Sequence, residues 1–140
     1  MVLATVYQVV MFNMVIPNRA IRWQRISVDQ IQQFDEQGRR FVVLAILADD
    51  IPPEGQPLAI FEESRVQQEL NLLRLTPFVL AISPGNEQQQ KWFKEQGLKK
   101  LPGLQLFVQG RKEPILIELT DVTPDTLADQ FNDLRFQRFD

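Results

Sequence analysis

The order of apolar and polar positions predicts strands that alternate with helices. Two uninterrupted apolar runs, "RFVVLAILA" and "PFVLAIS", have the length and composition of strands that are buried on both faces of a parallel sheet. The stretch "IRWQRI", which precedes both runs, alternates between apolar and polar residues and predicts a shorter strand. Near the C-terminus, "GLQLFVQGRKEPILIEL" predicts two strands joined by a turn at Gly110, which together form an antiparallel hairpin.

The segments between the first strands have apolar residues at helical spacing. "SVDQIQQFDEQG" begins with a capping box formed by Ser27 and Gln30, and Gly38 marks its end. "LAIFEESRVQQELNLL" has a single apolar stripe and predicts one continuous helix. We expect the prolines and glycine of the loop before this helix to delay its start.

Two further helices complete the pattern. "NEQQQKWFKEQG" has Trp92 and Phe93 as its apolar side, and we expect both to belong to the core. "TPDTLADQFNDLRF" is capped by Thr123. The whole order predicts an α/β domain with a mixed sheet, a parallel core, a C-terminal β-hairpin and helices on both faces.

The N-terminal stretch "MVLATVYQVVMFNMVIP" is apolar but is interrupted by Gln8 and Asn13. It lacks the charged start and cleavage site of a signal peptide, and it is shorter than the roughly 20 residues of a spanning helix. We therefore expect residues 1–20 to be an apolar extension and residues 21–140 to be the folded domain. The extension is either packed as a strand or helix on this domain or on a partner, or it is a membrane anchor.

The composition removes several classes of chemistry. The chain of 140 residues contains neither cysteine nor histidine, which excludes thiol nucleophiles, disulfides, Cys/His zinc sites and histidine acid–base catalysis. Its net charge of -3 gives no basic face for nucleic acid. Asp49, Asp50 and Glu54 could form a metal site or an acid–base pair, but a solvated loop is the simpler interpretation. We expect no cofactor.

Three motifs carry a family resemblance. "WQRISVDQIQQFDEQGRRFVVLAILADD" resembles the opening of the C-terminal, periplasmic domain of the transmembrane thiol–disulfide interchange reductase. "FEESRVQQEL" is similar to a helix of that domain, and "LKKLPGLQLFVQG" is similar to its proline-containing strand entry. The motifs occur in order between residues 23 and 134. The resemblance implies a thioredoxin-like fold and a periplasmic or membrane-associated location.

The location nevertheless stays open. If residues 1–16 crossed a membrane, Arg19, Arg22 and Arg25 would keep the rest of the chain on the cytoplasmic side. A cytoplasmic location is therefore an alternative to the one that the resemblance implies.

The chain departs from that family where the family does its chemistry. The family's Cys-x-x-Cys falls on Ile51, Pro52, Pro53 and Glu54, and its buried carboxylate falls on Ala45. No thiolate can form in such a loop. We therefore expect a domain that cannot exchange thiols and disulfides and that is not an enzyme.

The resemblance also implies a binding surface. Pro102 matches the family's cis-proline, which exposes the backbone of the preceding residue to a bound peptide. The predicted surface, called here the degenerate edge, consists of Asp50, Ile51, Pro52, Pro53, Leu101 and Pro102. We expect a redox-inactive protein-binding or accessory module whose partner is another protein or a second copy. The alternative is a structural subunit of a membrane-associated assembly, attached through residues 1–16.

Overall fold

A computed structural model describes residues 19–108 and 112–136, and these residues form one five-stranded sheet. The order of its strands is β1-β3-β2-β4-β5. Strands β1, β3 and β2 are parallel, whereas β4 runs antiparallel to β2 and pairs with an antiparallel β5. The bounds are β1 Gln24–Arg25, β2 Phe41–Leu47, β3 Thr76–Ile82, β4 Gly103–Phe107 and β5 Ile115–Glu118. The parallel core and the C-terminal hairpin were both predicted.

Four α-helices cover the two faces of this sheet. Helix α1 (Val28–Glu36) and helix α3 (Glu87–Glu95) contribute to one apolar core. Helix α2 (Ser64–Leu72) and helix α4 (Pro124–Phe136) contribute to the other core. The helices therefore lie on both faces, as predicted.

Strand β2 shows why these sequences form a buried sheet. Val42 and Leu44 point into the core of α2 and α4, whereas Phe41 and Val43 point into the core of α1 and α3. All four side chains are 0% exposed. Full burial of a side chain of this kind is worth about 1.5–3 kcal/mol, so an uninterrupted apolar run is what a doubly covered strand requires.

The predicted helix signals act as expected. Ser27 Oγ accepts a hydrogen bond from the Gln30 N–H at 3.2 Å, and Gln30 Oε1 accepts one from the Ser27 N–H at 2.9 Å. Gly38 follows α1 with φ +71°, a left-handed conformation that glycine adopts without steric cost. Thr123 Oγ1 accepts a hydrogen bond from the Thr126 N–H at 3.2 Å at the start of α4. Trp92 is buried, as predicted.

Two predicted elements were wrong in extent. The strand predicted for "IRWQRI" is shortened to Gln24 and Arg25, because Ile21 and Trp23 before them bond to the side chain of Gln56 in a distant loop. The single helix predicted for "LAIFEESRVQQELNLL" is divided into a 3₁₀ turn (Ala59–Glu62) and α2. Glu63 between them is extended, with φ −70° and ψ 128°.

Packing explains the divided helix. Phe61 is fully buried, and its ring lies 4.9 Å from that of Trp23 in an edge-on contact. The Phe61 carbonyl accepts a hydrogen bond from Gln67 Nε2 at 2.9 Å. The side chain of Gln67 thus takes the place of the backbone N–H that a continuous helix would provide. The apolar residues of the predicted stripe therefore share one core although the helix is interrupted.

Some predictions lie outside the described residues. They include the turn at Gly110 and almost all of the apolar extension, residues 1–20. The division of the chain at residue 20 stays a prediction. Between residues 19 and 136, as far as the structure describes them, no helix is long and apolar enough to cross a membrane.

Candidate protein-binding site

The first half of the candidate site begins where β2 ends. Ala48–Asp50 form a 3₁₀ turn directly after the strand, and the Ile51 N–H closes it by donating to the Ala48 carbonyl at 3.3 Å. Asp50, Pro52 and Pro53 are exposed, and Ile51 is half-buried. The stretch that matches the family's Cys-x-x-Cys is therefore an accessible loop at the carboxyl end of a central strand.

The side chain of Gln56 ties this loop to the segment that leads into β1. Gln56 Nε2 donates to the Ile21 carbonyl at 2.8 Å, and Gln56 Oε1 accepts from Trp23 Nε1 at 2.7 Å. Both polar ends of the Gln56 amide are thus satisfied by the segment that leads into β1. Sequence reasoning missed this clamp, because a glutamine between Gly55 and Pro57 carries no signal for a partner more than 30 residues away.

The second half of the site directly precedes β4, the antiparallel neighbour of β2. The Leu101–Pro102 peptide bond is cis, as predicted. In the register between β2 and β4, Gly103 lies opposite Ala45. If this antiparallel register is continued by two residues, Leu101 and Pro102 lie beside the last residues of β2. The cis-proline segment and the loop that starts at Ala48 therefore share one end of the sheet.

Strand order and strand directions together determine the type of fold. The chain has a thioredoxin-like fold. Its sheet has the predicted mixed arrangement, and the cis-proline precedes β4 at the end of the sheet where the degenerate loop begins.

The backbone at Leu101 is available for hydrogen bonding. Within the described part of the chain, neither its N–H nor its carbonyl makes a hydrogen bond, whereas the carbonyl of Pro102 accepts one from the Leu119 N–H at 3.1 Å. Leu101 and Pro102 are half-buried. An unpaired donor and acceptor on one residue at an accessible position could pair with an extended segment of another chain.

The apolar side chains of the degenerate edge belong to different layers. Ile51 packs against the core of α2 and α4, and Leu101 packs against the core of α1 and α3. All six predicted residues lie at one end of the sheet, but these two are anchored on opposite faces. Whether they form one binding surface stays a prediction.

This end of the sheet has none of the groups that thiol exchange requires. Position 51 holds an isoleucine, and Ala45, where the family has its buried carboxylate, is 0% exposed. Helix α2 begins only at Ser64, so no α-helix starts at Ile51 whose N-terminus could stabilise an anion. Thiol redox catalysis is therefore implausible for this chain.

The carboxylates of the loop also do not form a recognisable centre. Among the described residues, no group of three acidic side chains is arranged to hold a metal ion. Asp49, Asp50 and Glu54 are all exposed. Solvent therefore reaches all three carboxylates.

No family model and no curated protein matches the chain. Among solved structures, it is similar to a protein described as a presumed oxidoreductase with a thioredoxin fold. The two are 18% identical, the match covers 78% of this chain and 92% of that chain, and the TM-score is 0.49.

Proposed function

We propose that the domain is a redox-inactive thioredoxin-like module that binds an extended segment of a partner protein at the degenerate edge. The observation that carries this proposal is the free backbone of Leu101, which has an unpaired N–H and an unpaired carbonyl among the described residues. Recognition of this kind adds a short strand to existing backbone, with main-chain hydrogen bonds providing affinity.

The loop opposite Leu101 supports the same proposal. Pro52 and Pro53 are exposed and have fixed φ angles, so ordering them against a partner costs little conformational entropy. The Gln56 clamp further limits the motion of this loop. A preorganised apolar rim beside free backbone groups suits a binding surface better than a catalytic one, since the chain has no thiol.

The test begins with selection of binding peptides from a random library displayed on phage, with the full chain as bait. Chemical shifts of the 15N-labelled protein then report which residues the selected peptide touches. We expect the largest change at the Leu101 N–H, because it gains a hydrogen bond in the complex.

Variants separate this surface from others. Pro53→Asp and Leu101→Asp should each weaken peptide binding by roughly tenfold or more, since they place a charge against an apolar contact. Leu116→Asp is the matched control, because Leu116 is 39% exposed on β5 at a different edge of the sheet. Equal loss in the control, or shifts confined to residues away from the degenerate edge, would contradict the proposal.

The alternative function is a structural subunit of a membrane-associated assembly, attached through residues 1–16. One observation favours keeping it: among the described residues, the buried core begins at Ile21, directly after the predicted extension. The Arg19 carbonyl accepts a hydrogen bond from Asn71 Nδ2 at 2.7 Å, so the extension joins the domain beside the C-terminal end of α2. Loss of membrane or partner association on removal of residues 1–17, with peptide binding retained, would favour this alternative.

A further inference from the structure

A second concave site lies at the end of the sheet opposite the degenerate edge. It is a cavity of about 190 Å³, formed where β2 and β3 begin and β4 ends. Its walls are mainly leucines, among them Leu75, Leu106 and Leu134. Three arginines, Arg40, Arg74 and Arg135, also line it.

The positive charge of these arginines is only partly compensated. Arg135 Nη1 lies 3.9 Å from Glu69 Oε2. Among the described residues, Arg40 and Arg74 make no ion pair. The cavity therefore has a surplus of positive charge in a chain whose net charge is -3.

Arg135 adds an unsatisfied donor. Its Nε is buried and has no hydrogen-bond partner in the described part of the chain. Buried donors are nearly always paired in folded proteins, and an unpaired one calls for an explanation. A bound anion that accepts hydrogen bonds from guanidinium groups would supply one.

Arg74 has an unusual backbone conformation for a residue with a long side chain. It follows the end of α2 with φ 56°, a left-handed conformation for which glycine and asparagine are favoured. A side chain with a β-carbon is sterically disfavoured there. The long cationic side chain is thus present at the cavity despite a local backbone cost.

We propose that this cavity binds a small organic acid, whose carboxylate pairs with the arginines and whose apolar body contacts the leucines. An apolar cavity of roughly 150 Å³ holds a benzene molecule, so a body of about six to eight carbons fits the available space. Guanidinium groups match a carboxylate with two parallel hydrogen bonds, which explains the choice of arginine. This site is independent of the peptide-binding function proposed above.

Octanoate is the probe for the test, and calorimetric titration of the full chain is the measurement. We expect one saturable site per chain. Octanol has the same chain without the charge, and acetate has the charge without the chain. Each should bind at least roughly tenfold more weakly than octanoate, a difference of about 1.4 kcal/mol.

Arg74→Asn is the main variant, because asparagine tolerates the left-handed backbone while the guanidinium is removed. It should weaken octanoate binding by roughly tenfold, as expected for loss of a charge-assisted hydrogen bond. Arg25→Gln is the matched control, since it removes one positive charge from an exposed position on β1 and should leave binding unchanged. Arg40→Gln is a second test, although Arg40 Nη2 also donates to the Leu73 carbonyl at 3.2 Å.

Three results would overturn the proposal. They are absence of octanoate binding, equal affinity for octanol and octanoate, and equal loss of affinity in Arg74→Asn and Arg25→Gln. Circular dichroism of each variant checks whether it is folded. If Arg74→Asn is unfolded, the octanoate affinities of Arg40→Gln and Arg25→Gln are compared instead, and equal loss in these two variants would overturn the proposal. None of these results bears on the degenerate edge, which lies at the other end of the sheet.

Discussion

Gln105→Met should stabilise the protein, although it removes a hydrogen bond. Gln105 lies on β4 and is 0% exposed. Its Nε2 donates to Gln96 Oε1 at 3.0 Å, but its Oε1 has no partner in the described part of the chain. The amide therefore brings one satisfied and one unsatisfied polar group into an apolar core.

The two contributions can be compared. A buried polar group without a partner costs about 1–3 kcal/mol, and a typical hydrogen bond contributes only about 0.5–1.5 kcal/mol. Gln96 is half-buried, so its freed oxygen can be hydrated after the substitution. Methionine has nearly the shape of glutamine and adapts to irregular space. The expected net gain is about 1 kcal/mol, which corresponds to about 4 °C in Tm for a domain of this size.

Urea unfolding with an unchanged m value measures this difference directly. Gln32→Met is the control, because Gln32 is exposed on α1, and its free energy of unfolding should change by less than about 0.5 kcal/mol. A loss of more than about 1 kcal/mol in Gln105→Met would refute the reasoning, since the oxygen must then have a partner in solution.

Three further predictions concern other parts of the chain. Burial, and secondarily the charge of Glu36, raises the pKa of Asp35. The stability that Asp35 contributes is therefore present below its unfolded pKa, and it is lost as the pH rises through its folded pKa. Asp35→Asn should thus stabilise the protein at neutral pH and not at low pH in chemical denaturation, by less than about 0.5 kcal/mol because the group is well solvated. Removal of residues 1–17 should leave cooperative unfolding but abolish any self-association or membrane association of the full chain, as sedimentation and vesicle binding would show. Ile51→Cys combined with Glu54→Cys should not create an insulin reductase.

The sequence was sufficient for the parts of the fold that depend on local pattern. The run around Val43 is apolar at every position because β2 is covered on both faces, and such a run has few other interpretations. Ser27 and Gln30 form the predicted capping box because its hydrogen bonds join residues three positions apart. The cis bond before Pro102 was predicted only through the family resemblance, since local pattern does not distinguish cis from trans.

Features that depend on distant contacts could not be predicted. The break at Glu63 exists because Phe61 packs on Trp23, and the periodicity of apolar residues does not contain that contact. The clamp by Gln56 and the buried amide of Gln105 are likewise pairings across the fold. These contacts determine where the loop after Ile51 ends. The sequence therefore predicted that this loop lacks a thiol, but it did not predict how the loop is held in place.

The two-cysteine variant tests why the loop is unsuited to catalysis, beyond its lack of sulfur. A reactive thiol has its pKa lowered below the usual value of about 8.5 by a helix N-terminus or a nearby cation. Position 51 follows a 3₁₀ turn that contains Asp49 and Asp50, and nearby negative charge opposes ionisation of a thiol. The pKa of the thiol in Ile51→Cys should therefore be about 8.5 or higher.

Glu87→Cys provides the comparison within the same protein. Residue 87 is exposed and is the first residue of α3, where the helix N-terminus favours an anion. Titration of thiolate absorbance should give a lower pKa for Glu87→Cys than for Ile51→Cys. If the thiol at position 51 had the lower pKa, the loop would still stabilise a thiolate. The loss of chemistry would then consist only of the missing sulfur atoms, and restoring both cysteines should restore disulfide reduction.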